Sequence, residues 1–392
     1  MYNRKLVFWA SCLGMLLFGI TMTTLGPILP KIMLRFGMDK ANAGALFSLM
    51  SLGILLGSLI FGPLVDRYGY KELLIVCSVF VLAGLEGIAL TPSLGLLKVA
   101  VFVFGFGGGI INGGTNALVS DISEEGRSAG LALLGVFFGI GAFSVPLVLG
   151  LLLDHFSYRT IIAGVGFIVL IPLLFFIVIR FPEAKQKQGF PIRKGAGLLK
   201  ETTLLLFGLI LFLESGMEIT AGGWTTAFFN EELAMSANRA VYFQSLFWVG
   251  MMLARLLLGT TLKSSRPSRL LYLFISLAFS GSILLLAGRS LVLAAAGIFI
   301  IGAGFAAVFP LILGYVGDLY SQLSGTAFSI VLVMALTGGM ILPWLAGVLG
   351  DAYGLRTSFL IIPLSLLVMM VILTMVLQRF RATKSKTVKI RT

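Results

Sequence analysis

Charge is scarce in this chain, and so are the residue types that usually build reactive sites. Charged residues make up 11% of its 392 positions, about half the share of a soluble domain. Histidine occurs once and cysteine twice. The one histidine, His155 beside Asp154, cannot assemble a metal site and reads as a solvated loop residue. Cys12 and Cys77 both fall in long apolar runs, so no disulfide framework is implied. No nucleophile–base constellation and no metal-ligand spacing occurs, so an enzyme is not expected. The chain also lacks a hydrophilic stretch long enough to be a soluble domain. The longest is FPEAKQKQGFPIRKGAGLLK, residues 181–200.

What is abundant is apolar sequence, 58% of the chain. Twelve segments are long enough to cross hydrocarbon as helices, which takes about 20 residues each. They run 6–30, 42–65, 73–91, 95–120, 127–153, 160–180, 202–229, 238–260, 269–288, 291–317, 324–349 and 357–379. The expected fold class is an all-α membrane protein of twelve transmembrane helices. The first apolar run is too long for a signal peptide and lacks a small-residue cleavage site, so it reads as the first span.

The net charge of +13 would suggest nucleic acid if position were ignored. Placed on the twelve spans, it sorts by side. With the N-terminus inside, the cytoplasmic segments hold 21 of the 29 Lys and Arg, Arg255 counted among them, and the outer segments hold eight. That asymmetry places both termini in the cytoplasm. The positive charge serves orientation and lipid contact, and nucleic acid is not an expected partner.

The chain repeats itself. A shift of 197 residues superimposes, without a gap, Gly26 on Gly223, Gly53 on Gly250, Gly105 on Gly302, Asp121 on Asp318 and Pro146 on Pro343. Asp154 falls on Asp351 and Arg159 on Arg356. Chance glycine matches are cheap, but one offset that also catches Asp, Pro and Arg is not. The expected organisation is a six-helix bundle over 1–180, a basic cytoplasmic linker over 181–200, and a second bundle with a basic tail over 201–392. Two parallel halves put a binding site at mid-depth between them.

After span 2 the sequence reads GPLVDRYGYKELL, Gly62 to Leu74. Gly62, Leu64, Asp66, Arg67, Gly69 and Lys71 match the signature loop G-x-L-x-D-R-x-G-x-K of the major facilitator superfamily, which the whole chain resembles. Gly62 reads as a close-approach position between helices. The resemblance implies that Asp66 meets the start of span 11, near Ser324, and that Gly62, Asp66, Arg67, Gly69 and Lys71 form a latch closing the cytoplasmic side. The plainer alternative is a charged turn that sets orientation. The resemblance also implies that spans 1, 4, 7 and 10 line the cavity, with a monomer as the working unit.

Polar residues agree with that lining. Span 4 carries Asn112, Thr115, Asn116 and Ser120, and span 1 carries Thr21, Thr23 and Thr24. Span 7 carries ESGMEITAGGW, Glu214 to Trp224, where Glu214, Glu218, Ala221 and Thr225 share one helical face. Two carboxylates one turn apart disfavour joint ionisation. Such a pair holds a proton or coordinates sodium, and a structural pair between helices is the alternative. Gly222 and Gly223 suggest a helix break that would turn Trp224 into the cavity. Gln244 and Trp248 in span 8 read as rim contacts, and Arg255 as facing the cytoplasm. Glu86 in span 3 has no assigned role.

This stretch, with Asn112 and Asn116, resembles the fucose/glucose:cation symporter branch and its sodium-dependent glucose relatives. That branch tends to carry an acid where Asn112 stands, which would leave coupling to Glu214 and Glu218. The resemblance implies a secondary active transporter of the bacterial inner membrane, taking up a sugar or similar small polar solute with H+ or Na+. Substrate contacts would come from Asn112, Asn116, Trp224, Thr225 and Gln244. No cofactor beyond the coupling ion is expected. LGPILPKI, Leu25 to Ile32, resembles drug exporters of the same superfamily, and a proton-coupled exporter stays open beside the symporter.

Overall fold

A computed structural model describes residues 2–122, 127–182, 198–261, 266–288, 290–320 and 324–391. Most of linker 181–200 lies outside those residues, as do the side chains of Asp66 and Ser324. Twelve helical segments are long and apolar enough to cross a membrane. Spans 1 to 6 are Arg4–Phe36, Lys40–Tyr68, Tyr70–Leu90, Leu94–Ile122, Arg127–Leu152 and Tyr158–Val178. Spans 7 to 12 are Thr202–Glu232, Ala237–Thr261, Pro267–Ala287, Leu291–Leu319, Ser324–Tyr353 and Leu355–Arg379, beyond which the last helix continues to Arg391.

Three spans are broken, and each break has a cause in sequence. In span 12, parted at Phe359–Leu360 between Leu355–Ser358 and Ile361–Arg391, Pro363 lacks the N–H that would bond the Phe359 carbonyl. Span 1 is two helices, Arg4–Thr23 and Leu25–Phe36. The hydroxyls of Thr21, Thr23 and Thr24 donate to carbonyls four residues back, a pattern that bends helices, and Pro27 cannot donate to Thr23. Span 10 is Leu291–Phe305 and Val308–Leu319, parted at Ala306–Ala307. There Pro310 lacks the N–H that would bond the Ala306 carbonyl. Span 7 behaves otherwise. It is one uninterrupted helix through Gly222 and Gly223, so the expected break there does not form. Glycine loosens a helix but removes no hydrogen bond; proline does both.

The signature segment is helical rather than a loop. Span 2 runs on to Tyr68, and Gly69 alone, at φ 85°, turns the chain into span 3. That positive φ is a conformation glycine adopts without steric cost. The Arg67 guanidinium lies 5.2 Å from the Tyr68 ring centroid, and Tyr70 donates to Asp121 at 2.7 Å. A Cβ at Gly62 would meet nothing within 4 Å. Its expected role in close helix approach is therefore not seen.

The 197-residue repeat reappears in the contacts. Span 1 packs on 5, span 2 on 4, and span 3 on 4 and 6; the same pattern recurs as 7 on 11, 8 on 10, and 9 on 10 and 12. A Cβ at Gly105 would fall 2.2 Å from the Met50 oxygen, and one at Gly302 2.0 Å from the Phe247 oxygen. Arg159 donates to the Ala89 carbonyl at 2.8 Å, and Arg356 to the Leu286 carbonyl at 2.7 Å. Each of these partners is its counterpart displaced by the same 197 residues. Each arginine satisfies carbonyls that a helix end leaves free.

Between the two sets of six spans, span 2 packs on 11, span 5 on 8, and the second helix of span 1 on 7. The seam is tight toward the end bearing Lys40, Asp154, Glu231 and Asp351. Ser48 and Ser51 donate to the carbonyls of Met340 and Gly339 at 2.6 and 3.1 Å. Asp351 accepts from the backbone N–H groups of Lys40 and Ala41 at 2.9 and 2.7 Å. Lys40 also pairs with Glu231 at 3.2 Å. The repeat-related Asp154 accepts from Asn238 at 2.8 Å, at the start of span 8. Toward the opposite end, Cβ atoms at Gly62 and Gly135 would meet nothing within 4 Å.

Candidate functional site

The helices bring mid-depth polar residues of spans 7 and 8 to the seam. Glu218 sits midway along span 7 and Trp248 midway along span 8. Together with Gln244 they line a small cavity, whose other walls are Met22, Phe47, Ile219, Gly222 and Gly223. Spans 1 and 2 thus supply one side and spans 7 and 8 the other. Gly26 and Gly223, related by the repeat, let the backbones close on each other. A Cβ at Gly26 would lie 2.8 Å from the Gly223 oxygen and 2.7 Å from the Gln244 amide nitrogen.

Glu214 lies one turn behind Glu218 and is fully buried. Neither of its carboxylate oxygens has a hydrogen-bond donor. The group within its reach is the Glu218 carboxyl, and the cation acting on both is Arg255. An unpartnered buried carboxylate is costly, and two acceptors side by side are reconciled by a proton or a metal cation between them.

Arg255 corrects the sequence reading, which turned it toward the cytoplasm. It reaches the site because Cα–Cβ bonds tilt toward a helix N-terminus, and span 8 runs from Ala237 toward Thr261. Its Nε donates to the Ala306 carbonyl at 3.4 Å, the carbonyl that Pro310 leaves free, and its guanidinium lies 6.0 Å from the Phe138 ring centroid across the seam. The signal was in the sequence. Gln244, Trp248, Met251 and Arg255 fall within about 60° of one another on a helical wheel.

The other expected site residues divide. Gln244 is 1% exposed and lines the cavity, its Oε1 accepting from the Thr226 hydroxyl at 3.0 Å. Trp224 does not line it. Its indole N–H donates to the Pro343 carbonyl at 3.0 Å, and its ring packs near Phe47. With span 7 unbroken, Trp224 stays about 120° from Glu218 around the helix, facing span 11. Thr225 donates to its own helix at Ala221. Asn116 donates to the Asn112 carbonyl at 2.9 Å and to its side-chain oxygen at 3.1 Å. Both asparagines are half-buried, lie closer to the Ile122 end of span 4, and are not among the cavity walls. Glu86 lies apart, against Gly166 of span 6. His155 is exposed.

Comparison with known proteins bears on this geometry. The sequence model described as Major Facilitator Superfamily matches residues 11–331 and 266–391. "Sodium-dependent glucose transporter 1A" of Mus musculus is 24% identical over 390 residues, covering 88% of this chain and 89% of its own. "Glucose/mannose transporter GlcP" of Bacillus subtilis is 25% identical over 349 residues, covering 84% of each. Among solved structures, that of a mutant of the nucleoside transporter NupG aligns with a TM-score of 0.80 at 17% identity, covering 95% of this chain and 99% of its own.

Proposed function

Since the chain belongs to the Major Facilitator Superfamily, and is a multi-pass membrane transporter rather than an enzyme, we propose that it takes up a hexose or similar small polar solute with H+ or Na+. The bundles 1–180 and 201–392, tied by linker 181–200, rock about the cavity at the seam. With both termini in the cytoplasm of a bacterial inner-membrane protein, the closed end at Lys40 and Asp351 faces outward. The conformation described is then open toward the inside. Asp66, at the opposite end, closes the inner side in the alternate state, with Gly62, Arg67, Gly69 and Lys71 shaping that segment. A monomer contains every part of this site.

The observation that carries the reading is the Glu214–Glu218 pair at mid-depth, the Glu214 carboxyl fully buried without a donor and the Glu218 carboxyl half-buried in the cavity in front of it. A coupling ion bound there supplies the missing partner and turns Arg255 from a needed counter-charge into a released one. That change in charge gives the ion a means of biasing the seam, because an ion shifts a conformational equilibrium only by its differential affinity for the two states. The glucose transporters among the relatives support a sugar as solute. The apolar walls Met22, Phe47 and Ile219 favour a second reading, a proton-coupled exporter of lipophilic solutes.

The test is solute accumulation in proteoliposomes under an imposed pH or sodium gradient. Glu214→Gln and Glu218→Gln are each expected to abolish gradient-driven accumulation of a hexose while retaining exchange without a gradient. Undiminished accumulation in both would remove the pair from coupling. Export of lipophilic cations by the wild type, with no hexose uptake, would establish the second reading instead.

A further inference from the structure

Trp248 is 5% exposed, and its indole N–H has no hydrogen-bond partner. It is one of three side chains among the described residues with an unpartnered buried polar atom. The others are Glu214 and Ser245, and all three stand on spans 7 and 8. Trp248 is also a wall of the cavity. Its ring is held edge to face by Phe247 at 5.1 Å and by Phe138, from across the seam, at 5.9 Å. Beside it, Gln244 is a cavity wall whose Oε1 is already taken by the Thr226 hydroxyl, so its amide N–H2 is what it has to offer a ligand. A buried donor without an acceptor costs the full desolvation of that group. An indole N–H can only donate, so what completes it must offer an acceptor.

We propose that the solute is read chiefly from span 8, with Trp248 and Gln244 donating to acceptor oxygens of a neutral polyhydroxylated ring while Glu218 accepts from one of its hydroxyls. This rests on the hexose reading above and gives it a specificity device. Hydroxyl groups both donate and accept, so one such ring satisfies two donors and a carboxyl together. A lipophilic cation offers no acceptor and leaves both N–H groups unpaired. Sites that hydrogen-bond a hydroxyl reject analogues lacking it more strongly than apolar pockets reject added bulk. The indole next to the glutamates in sequence, Trp224, takes no part, because Pro343 already holds its N–H.

The experiment is equilibrium binding of D-glucose, its monodeoxy analogues and tetraphenylphosphonium to the full chain purified in detergent. Trp248→Phe keeps the ring and removes the N–H. It is expected to weaken glucose binding roughly tenfold, the loss of about one hydrogen bond. Trp224→Phe is expected to leave binding unchanged and to lower the thermal midpoint. In the wild type, the deoxy analogue missing the contacted hydroxyl loses the same factor, and in Trp248→Phe it loses nothing further. Glucose binding unaltered by Trp248→Phe, or weakened equally by Trp224→Phe, would overturn the assignment while leaving the hexose reading intact. Should Trp248→Phe fail to fold, Gln244→Leu and the wild-type deoxy series decide the matter, and a flat deoxy series overturns it. A wild type that binds only tetraphenylphosphonium removes both the hexose reading and this one.

Discussion

At the scale of single residues, membrane burial makes every polar atom consequential, and the two indoles of the seam show the difference between structure and site. Trp224 has its N–H satisfied and its ring enclosed. Trp248 has an equally buried ring and an unsatisfied N–H. Trp224→Phe therefore removes a buried hydrogen bond between spans 7 and 11, a net loss of about 0.5–1.5 kcal/mol. We expect a lower thermal midpoint in detergent with transport retained at temperatures below it. Sequence had the means to separate the two. Trp224 lies a third of a turn off the face of Glu218, whereas Gln244, Trp248 and Arg255 share one stripe of span 8. The reading that turned Trp224 inward needed a helix break, and the acids, glycines and tryptophan were grouped by adjacency instead of by angle.

At the scale of elements, the legible features were those set by local covalent structure and by repetition. Twelve apolar lengths gave twelve spans, and the 197-residue register recurs in the contacts of Gly105 with Met50 and Gly302 with Phe247. Less legible was what depends on partners distant in sequence. Asp154 and Asp351 were visible as a repeated pair, but not as carboxylates facing the first residues of spans 8 and 2. Asp351 sits where the N-terminal N–H groups of span 2 are free and its helix dipole is positive, an arrangement worth about 0.3–1 kcal/mol when exposed. The nearby Lys40–Glu231 pair is partly exposed and adds little by itself. Asp351→Asn keeps the shape and removes the charge. It should raise the population open at this end about two- to fivefold, read as faster thiol labelling of a Ser48→Cys reporter. Unchanged labelling would mean that helix packing alone holds this end closed.

At the scale of the whole molecule, the seam between spans 2 and 11 is closed along the Lys40 half, while Gly62 and Gly135, toward the other end, meet nothing across it. A carrier that works by alternating access must break this contact in every cycle. The contact is close enough to be bridged covalently. A Cβ placed on Gly339 would lie 3.5 Å from the Ser51 hydroxyl oxygen, near the spacing that a disulfide spans between Cβ and the opposite sulfur. The crowding that Cβ meets, the end of the Ile219 side chain at 2.6 Å, is able to swing aside. The native Cys12 and Cys77 are both buried, in spans 1 and 3, and do not stand at this contact. Oxidised Ser51→Cys with Gly339→Cys is therefore expected to stop solute counterflow in proteoliposomes, and dithiothreitol to restore it, with either single variant insensitive to both reagents. Counterflow that continues at full rate through a bridge verified by mass spectrometry would mean that spans 2 and 11 never part. The cavity at Glu218 would then be reached by some route other than the rocking of two halves.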